Sequence, residues 1–298
     1  MPELPEVEVL ARHLAPRLKD KVILDVEIRR ARVLRPTPPK QLRKTLRGAR
    51  FAGLTRRGKY LVFTLRAAGG RKMLDLLGHL GMSGRMYLQP SAASLPKHAA
   101  LVLRLGQESF IFEDPRYFGR LTLDASVISA LGPEPLGDGF TSDYLANALK
   151  RSAQAVKVKL LDQSIVAGVG NIYASEALFR AGIPPRLASR RLRRRQVEQL
   201  WRSVREVLAR AIRLGSTLGL DWAGTGNNDG IFYYGRDASG QEFFEERLQV
   251  YDRAGKPCYR CQAPIKRIVQ GGRSTFYCPH CQRNGDAKTS VDGSGVDL

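Results

Sequence analysis

Four cysteines, arranged as two close pairs, constrain the fold of this chain more than any other feature. Cys258 and Cys261 form one pair, Cys278 and Cys281 form the other, and 16 residues separate the two pairs. Two turns with this spacing can place four thiolates tetrahedrally around one zinc ion, whereas unliganded buried thiols rarely occur as two tight pairs. Four protein ligands leave no position for a water molecule. We therefore predict one structural Zn²⁺ that holds a small β-hairpin.

The predicted zinc module carries charge of only one sign. Between Pro257 and Arg283 there is no acidic residue, and the five basic residues are Arg260, Lys266, Arg267, Arg273 and Arg283. The whole chain is also basic, with 49 Lys and Arg against 28 Asp and Glu and a formal net charge of +21. Such an imbalance favours polyanions as partners. We predict a nucleic-acid partner, with Arg273 as the candidate phosphate contact.

Membrane insertion and secretion are both disfavoured by the sequence. No run approaches the roughly 18 apolar residues of a spanning helix. The start, Met1-Pro2-Glu3-Leu4-Pro5-Glu6, has acids where a secretory signal has basic residues and an apolar stretch. We expect the protein to stay in the cytoplasm, where thiols are reduced, which supports metal ligation over disulfides.

The predicted secondary structure changes along the chain. Apolar residues at three- and four-residue intervals predict an amphipathic helix over about residues 5 to 18. From Val22 to Leu123, short β-rich runs separated by turns predict a sandwich or a barrel. The predicted strands are 22–28, 60–65, 73–77, 101–105, 109–112 and 120–123.

A stretch rich in Pro and Gly, residues 131–139, separates these strands from a helical region. The predicted helices are 143–151, 156–163, 172–181 and 195–214, and the last should end before Gly215. We predict an N-terminal domain over 1–131, a helical domain over 132–247, the zinc module over 248–283 and a polar tail over 284–298. Residues 219–247 read as a long loop.

The N-terminal segment offers a candidate nucleophile. Removal of the initiator Met leaves Pro2 with a secondary amine whose pKa is about 8, below the roughly 10.4 of lysine. Part of this amine is unprotonated at neutral pH and can attack an anomeric carbon to form an imine. Glu3 and Glu6 are candidates for the proton transfers. Taken alone, a Met-Pro-Glu start usually has no such function, so the other motifs must support it.

Two short loops combine glycines with side chains that can enter a base stack. His79-Leu-Gly-Met-Ser-Gly84 places Met82 between glycines, and Asp114-Pro-Arg-Tyr-Phe-Gly119 places Arg116 beside two aromatic rings. Enzymes that act on a base in duplex DNA must refill the vacated stack. A methionine buried in a strand is the alternative reading of the first loop.

The segment Gly168-Val-Gly-Asn-Ile172 lies between two predicted helices. Free amides at the start of the second helix, together with Asn171, can hold a phosphate, and Lys157 lies one helix earlier. An ordinary turn between helices is the alternative reading. The run of arginines from 190 to 195 receives no assigned role, since such runs are commonly solvated.

Together these motifs resemble the bacterial formamidopyrimidine-DNA glycosylase family, in order from residue 2 to about residue 283. The resemblance implies an α+β, multidomain fold: an N-terminal β-sandwich bearing the opening helix, a helix-two-turn-helix domain and a four-cysteine zinc finger. It also implies a monomer that binds damaged double-stranded DNA in the cleft between the domains, without an organic cofactor or a membrane. Its place of action would be the bacterial nucleoid.

The resemblance also implies roles for single residues. Pro2 matches the nucleophile, Glu3 the acid that assists sugar opening, Lys59 a catalytic lysine near the lesion, and Glu6 a supporting carboxylate. The residues matched to DNA binding are Met82, Arg116 and Phe118, which fill the gap left by the flipped nucleotide, and His98, Lys157, Asn171 and Arg273 at the phosphates.

The implied reaction is excision of 8-oxoguanine and formamidopyrimidines opposite cytosine, followed by β,δ-elimination. Two departures from the family pattern stand out. Residues 219–247, which correspond to the loop that caps the flipped base, are longer than usual, so base preference is open. The sequence Lys97-His98-Ala-Ala100 lacks a second histidine that the family often shows, and with it a phosphate contact.

Two alternative functions stay open at this point. An endonuclease VIII-like glycosylase would prefer oxidised pyrimidines, although Leu4 and the intact Met82 and Arg116 loops argue against it. A noncatalytic, zinc-dependent DNA-binding protein would account for the charge and the cysteines alone.

Overall fold

The computed structural model describes residues 2–70, 72–215 and 248–283. The predicted capping loop (219–247) and the predicted polar tail (284–298) lie outside these residues. The domain boundaries proposed from the sequence stay predictions.

The opening helix, α1 (Leu4–Leu18), confirms the helix predicted over residues 5–18. Its start is fixed by a capping box, in which the Glu3 side chain accepts from the backbone of Glu6 and the Glu6 side chain accepts from the backbone of Glu3. Leu10, Leu14 and Leu18 on its apolar face are fully buried. The helix is therefore anchored against the sandwich core along most of its length.

The N-terminal strands form a sandwich of two four-stranded antiparallel sheets, as the sequence predicted, rather than the alternative barrel. One sheet has the order β1-β6-β7-β5 and the other β2-β3-β4-β8. Aromatic rings such as Phe63 and Phe110, with centroids 5.5 Å apart, pack in the core. The elements are β1 (Asp25–Ile28), α2 (Pro39–Leu46), β2 (Arg50–Arg57), β3 (Tyr60–Arg66), β4 (Met73–His79), β5 (Arg85–Pro90), β6 (Ala99–Arg104), β7 (Glu108–Glu113), β8 (Arg120–Thr122) and α3 (Ser126–Ser129).

Sequence reasoning missed α2, α3, β2 and β5. Strand β2 escaped because Gly53 lies at a bulge opposite β3 and because charged residues interrupt its apolar pattern. Strand β1 begins three residues later than predicted, at Asp25.

The helical region contains α4 (Ser142–Leu149), α5 (Val156–Leu160), α6 (Asn171–Arg180) and α7 (Arg194–Gly215), near the predicted positions. Helix α5 ends earlier than predicted, because the Asp162 and Gln163 side chains bond to the turn that follows. Helix α7 includes Gly215. Leu4 belongs to this second core, so the first residue of α1 joins the two domains.

The zinc module contains the predicted hairpin, β9 (Lys266–Gln270) and β10 (Arg273–Tyr277). Gly271 and Gly272 at its turn have φ of 52° and 71°, which favours glycine. The buried Glu176 of α6 accepts from the backbone N–H groups of Gln249, Val250 and Tyr251, and so joins this module to the helices. Within the described residues, no helix is both long and apolar enough to cross a membrane.

Candidate active site

The four cysteine sulfurs converge as the sequence predicted, all within 4.8 Å of one another. Cys258 Sγ lies 3.9 Å from Cys281 Sγ, and Cys261 Sγ lies 3.4 Å from Cys278 Sγ. Tetrahedral Zn–S bonds of about 2.3 Å require sulfurs about 3.8 Å apart, so the cluster fits one Zn²⁺. The N–H groups of Arg260 and Cys281 donate to the sulfurs of Cys258 and Cys278. The metal is structural, since all four positions are taken by protein.

Glu3 is buried at the N-terminus of α6, where the two domains meet. Its carboxylate accepts from the N–H of Ile172 at 2.9 Å and from that of Tyr173 at 3.3 Å. These are amides left unpaired at a helix start, and the helix dipole also favours an anion there. The next residue, Leu4, donates its N–H to the carbonyl of Gly168. The helical domain thus holds the chain directly after Pro2, which is itself buried.

Glu6 lies beside Glu3 and is buried. Its Oε2 accepts from the N–H of Glu3 at 2.8 Å, and its Oε1 accepts from the hydroxyl of Tyr173 at 2.7 Å. Burial, together with the negative charge of Glu3, raises the pKa of Glu6 to about 7. A carboxyl group with such a pKa can both hold and release a proton near neutral pH.

Lys59 lies in the β2–β3 turn, directly before β3, and is buried. Burial lowers the pKa of Lys59. The negative charges of Glu3 and Glu6 oppose this effect, and the positive charge of Arg273 adds to it, so these three groups lie close enough to Lys59 to act on its charge. A lysine with a lowered pKa is a better proton acceptor at neutral pH.

The β2–β3 turn is held by Glu134 from the interdomain segment. Its Oε1 accepts from the N–H of Gly58 at 2.6 Å and from Arg57 at 3.0 Å, and its Oε2 accepts from Arg56 at 2.6 Å. Because Gly58 immediately precedes Lys59, this carboxylate ties the lysine to the second domain.

Lys157 and Asn171 tie α5 and α6 to the zinc hairpin. Lys157 is 1% exposed, and its Nζ donates to Asn171 Oδ1, to the carbonyl of Ser274 and to Thr275 Oγ1. Asn171 Nδ2 donates to the same Ser274 carbonyl at 2.8 Å. Burial lowers the pKa of Lys157 to about 7, and Arg273 acts in the same direction against Glu3. Arg273 itself is exposed at the hairpin turn.

The two loops predicted to enter the base stack, residues 79–84 and 114–119, lie side by side at the rim of the sandwich, and we call them the wedge loops. Met82 and Phe118 are 49% and 50% exposed, although both are apolar. Arg116, two residues before Phe118, is exposed as well. His98 is partly buried behind the second loop, where its carbonyl accepts from the N–H of Asp114. Lys59 and Arg120 add to the effect of burial in lowering the pKa of His79 to about 4, which places the first loop near Lys59.

Three family models match the chain in order. The Formamidopyrimidine-DNA glycosylase N-terminal domain matches residues 1–121, the Formamidopyrimidine-DNA glycosylase H2TH domain matches 131–220, and the zinc finger found in FPG and IleRS matches 255–284. A formamidopyrimidine-DNA glycosylase from Thiobacillus denitrificans is 39% identical over 289 residues, covering 95% of this chain and 100% of the relative. The chain belongs to the formamidopyrimidine-DNA glycosylase family.

Other relatives of this glycosylase family agree. One from Paracoccus denitrificans is 42% identical over 300 residues, with 95% of this chain and 100% of the relative covered. Two Lactococcus lactis structures, a variant with Fapy-dG containing DNA and the wild type with an oxidized pyrimidine containing DNA, each have a TM-score of 0.81. Identity is 32% and 33%, and each comparison covers 95% of this chain and 100% of the other.

In this glycosylase, the predicted site residues fall into two groups. The first group lies near the start of α6 and consists of Pro2, Glu3, Glu6, Lys59, Lys157, Asn171 and Arg273. The second group lies at the sandwich rim and consists of Met82, His98, Arg116 and Phe118. Sequence reasoning missed Tyr173, Glu134 and Asp114. Tyr173 follows Asn171 by two residues, and Glu134 lies within the Gly-Pro-Glu-Pro segment, but neither spacing indicates which distant group is bonded.

The raised pKa of Glu6 predicts an effect on stability. Between pH 4.5 and about 7, Glu6 is largely protonated in the folded protein but ionised in the unfolded chain. The free energy of unfolding therefore falls as the pH rises through this range. Glu6→Gln cannot titrate. Its amide oxygen can still accept from the N–H of Glu3, and its NH₂ group can donate to the hydroxyl oxygen of Tyr173. Relative to wild type, this variant should gain about 3 kcal/mol over this range, measured by urea unfolding with zinc present.

Glu108→Gln is the control of opposite sign for Glu6→Gln. Hydrogen bonds from Lys21 and Arg17 lower the pKa of Glu108, so its removal should cost stability above its usual pKa. Identical pH profiles of wild type and Glu6→Gln would contradict the raised pKa.

Proposed function

We propose that this chain removes oxidised purines from double-stranded DNA and then cuts the strand at the resulting abasic site. The observation that carries the proposal is that Glu3, Glu6 and Lys59 lie close together where both domains meet, and that the buried Pro2 directly precedes Glu3. A secondary amine needs nearby proton donors and acceptors to attack a sugar, and this site supplies them.

The chemistry follows from these groups. The Pro2 nitrogen bonds to C1′ of the damaged nucleotide, and the bond from C1′ to the base breaks, with a proton delivered to the departing group. The attached Pro2 nitrogen gives up its proton, and Glu3, in its protonated form, protonates the sugar oxygen as the ring opens, which gives an iminium ion between Pro2 and C1′. The iminium ion acidifies the C2′ protons, and removal of one of them expels the 3′ phosphate. A second elimination removes the C4′ proton and expels the 5′ phosphate. Lys59 and Glu6 accept and return protons in these steps.

Recognition of the duplex falls to the rest of the predicted set. Met82, Arg116 and Phe118 are exposed on adjoining loops and are suited to fill the space left by a flipped nucleotide, with Arg116 facing the orphaned cytosine. Arg273, Asn171 and His98 supply phosphate contacts. The three acceptors already bound to Lys157 indicate that it acts on phosphates largely by holding Asn171 and the hairpin in place.

The proposed substrate is 8-oxoguanine or a formamidopyrimidine opposite cytosine. The second candidate is an oxidised pyrimidine, favoured by the Lactococcus lactis structure with DNA of that kind. Single-turnover excision of 8-oxoguanine and of thymine glycol, side by side in the same duplex sequence, separates them. We expect faster release of 8-oxoguanine; faster release of thymine glycol would reassign the base, and binding without cleavage of either would indicate a noncatalytic protein.

The oligomeric state and the place of action are also part of the proposal. We infer that the protein acts as a monomer on chromosomal DNA, in the cytoplasm and at the nucleoid, because its relatives are bacterial. Residues 219–247 are proposed to cap the flipped base, and they lie outside the described structure.

A further inference from the structure

Asp114 is a fully buried carboxylate that bonds to both wedge loops. Its Oδ1 accepts from the hydroxyl of Ser83, at 2.7 Å, in the loop that carries Met82. The same oxygen accepts from the N–H of Arg116 at 3.1 Å, and Oδ2 accepts from the N–H of Gly119 at 2.7 Å. Burying a carboxylate is costly unless several donors satisfy it, and here those donors come from two separate loops.

The backbones of the two loops are also in direct contact. A Cβ atom added at Gly81 would lie 2.6 Å from the N of Gly119 and 2.7 Å from the carbonyl carbon of Phe118. Gly81 has φ of 62°, and its N–H donates to Nδ1 of His79. The first loop therefore cannot shift relative to Phe118 without breaking this contact.

Tyr117, between Arg116 and Phe118, is held in a left-handed conformation with φ of 53°. Such a φ is strained for a tyrosine and persists only where neighbouring groups enforce it. Its N–H donates to the carbonyl of Asp114, and its hydroxyl accepts from Nε of Arg30 at 3.2 Å. The backbone that aims Phe118 outward is thus fixed from two sides.

We propose that Asp114 is a positioning residue that joins the two loops, so that Met82, Arg116 and Phe118 enter the duplex as one preformed wedge. The inference rests on the proposed function, because it deepens the stack-filling role given to these three side chains. A rigid wedge has lost its loop entropy before binding, which leaves more of the binding energy to open the base pair.

Ser83→Ala and Asp114→Asn distinguish two roles of Asp114, the bond that links the two loops and the bonds that shape the second loop. Ser83→Ala removes only the bond between the loops and leaves the carboxylate with its two N–H donors. Asp114→Asn loses the charge and sets its NH₂ group against one of those N–H groups. Ser91→Ala is the matched control, since its hydroxyl bonds to Ser109, away from both loops.

Wedge insertion is measured without any chemistry, by using a duplex with a tetrahydrofuran abasic analogue next to 2-aminopurine. With saturating wild-type protein, insertion should unstack the probe and raise its fluorescence. Ser83→Ala and Asp114→Asn should lower this rise at least about threefold. Phe118→Ala, which removes a wedge side chain, should do the same, while Ser91→Ala should match wild type. Excision of 8-oxoguanine by Asp114→Asn should fall about ten- to a hundredfold, the cost of a buried N–H left unpaired.

Two results would overturn the wedge proposal. One is a wild-type fluorescence rise in both variants. The other is a loss of the fluorescence rise that parallels the fall in melting temperature of the variants and disappears when all proteins are compared below the onset of unfolding. Asp114 would then only stabilise the fold. If the wild type unstacks the probe but does not excise 8-oxoguanine, the proposed substrate is wrong and the wedge stands.

Discussion

Gly170→Ala should abolish most of the base excision while leaving the fold and the wedge loops intact. Gly170 precedes α6, and a Cβ atom there would overlap the carboxyl group of Glu3, with Oε2 only 2.6 Å away. Glu3 cannot stay on the amides of Ile172 and Tyr173 once a methyl group occupies that space. Displacement of a catalytic group by about 1 Å costs on the order of a hundredfold in rate, so we expect at least that loss.

Gly53→Ala is the matched control, since nothing lies within 4 Å of a Cβ atom at that position. Single-turnover excision and strand cleavage should be measured for both variants, with binding to an abasic-analogue duplex as the second readout. Binding of Gly170→Ala should stay within severalfold of wild type. Near-normal excision by Gly170→Ala would show that the position of Glu3 does not matter.

Removal of the zinc should weaken DNA binding about a hundredfold or more. The metal holds the hairpin whose Ser274 and Thr275 accept from Lys157 and Asn171. When the hairpin is lost, Arg273 and Asn171 lose their places together, and the two phosphate contacts proposed for them are worth about 3 kcal/mol or more. Fluorescence anisotropy with a labelled duplex, before and after chelation, measures the loss.

Cys261→Ser should reproduce the effect of the chelator, and added Zn²⁺ should restore binding to the chelated wild type but not to this variant. The sandwich should keep its own cooperative unfolding transition, because its core is separate from that of the zinc module. Full-affinity binding by the metal-free protein would contradict the assigned role of the hairpin.

The sequence predicted the elements whose signal is local. The cysteine spacing, the helical periodicity of α1 and the short β-rich runs of β3 and β4 each depend on neighbours along the chain. Strand β2 lacked such a signal because Gly53 and its arginines break the pattern, although the arginines serve contacts to Glu8 and Glu134 from other elements.

The site divides in the same way. Pro2, Glu3 and the wedge residues could be predicted because they lie in short motifs that the family resemblance covers. Glu134 was missed as a bonding partner because its contact with Gly58 spans 76 residues of the chain. Asp114 was missed as a link between the loops because its bond to Ser83 spans 31 residues. The capping of α6 by Glu3 across 169 residues likewise depends on how the two domains pack.

The central claim is that the amine of Pro2 forms a covalent bond with the sugar of an oxidised nucleotide. It is tested most directly by borohydride trapping on a duplex carrying 8-oxoguanine opposite cytosine, with mass mapping of the linked peptide. We predict an adduct on Pro2. An adduct only on an abasic duplex would keep the lyase and reassign the base, whereas no adduct on either duplex, or one on Lys59, would contradict the account.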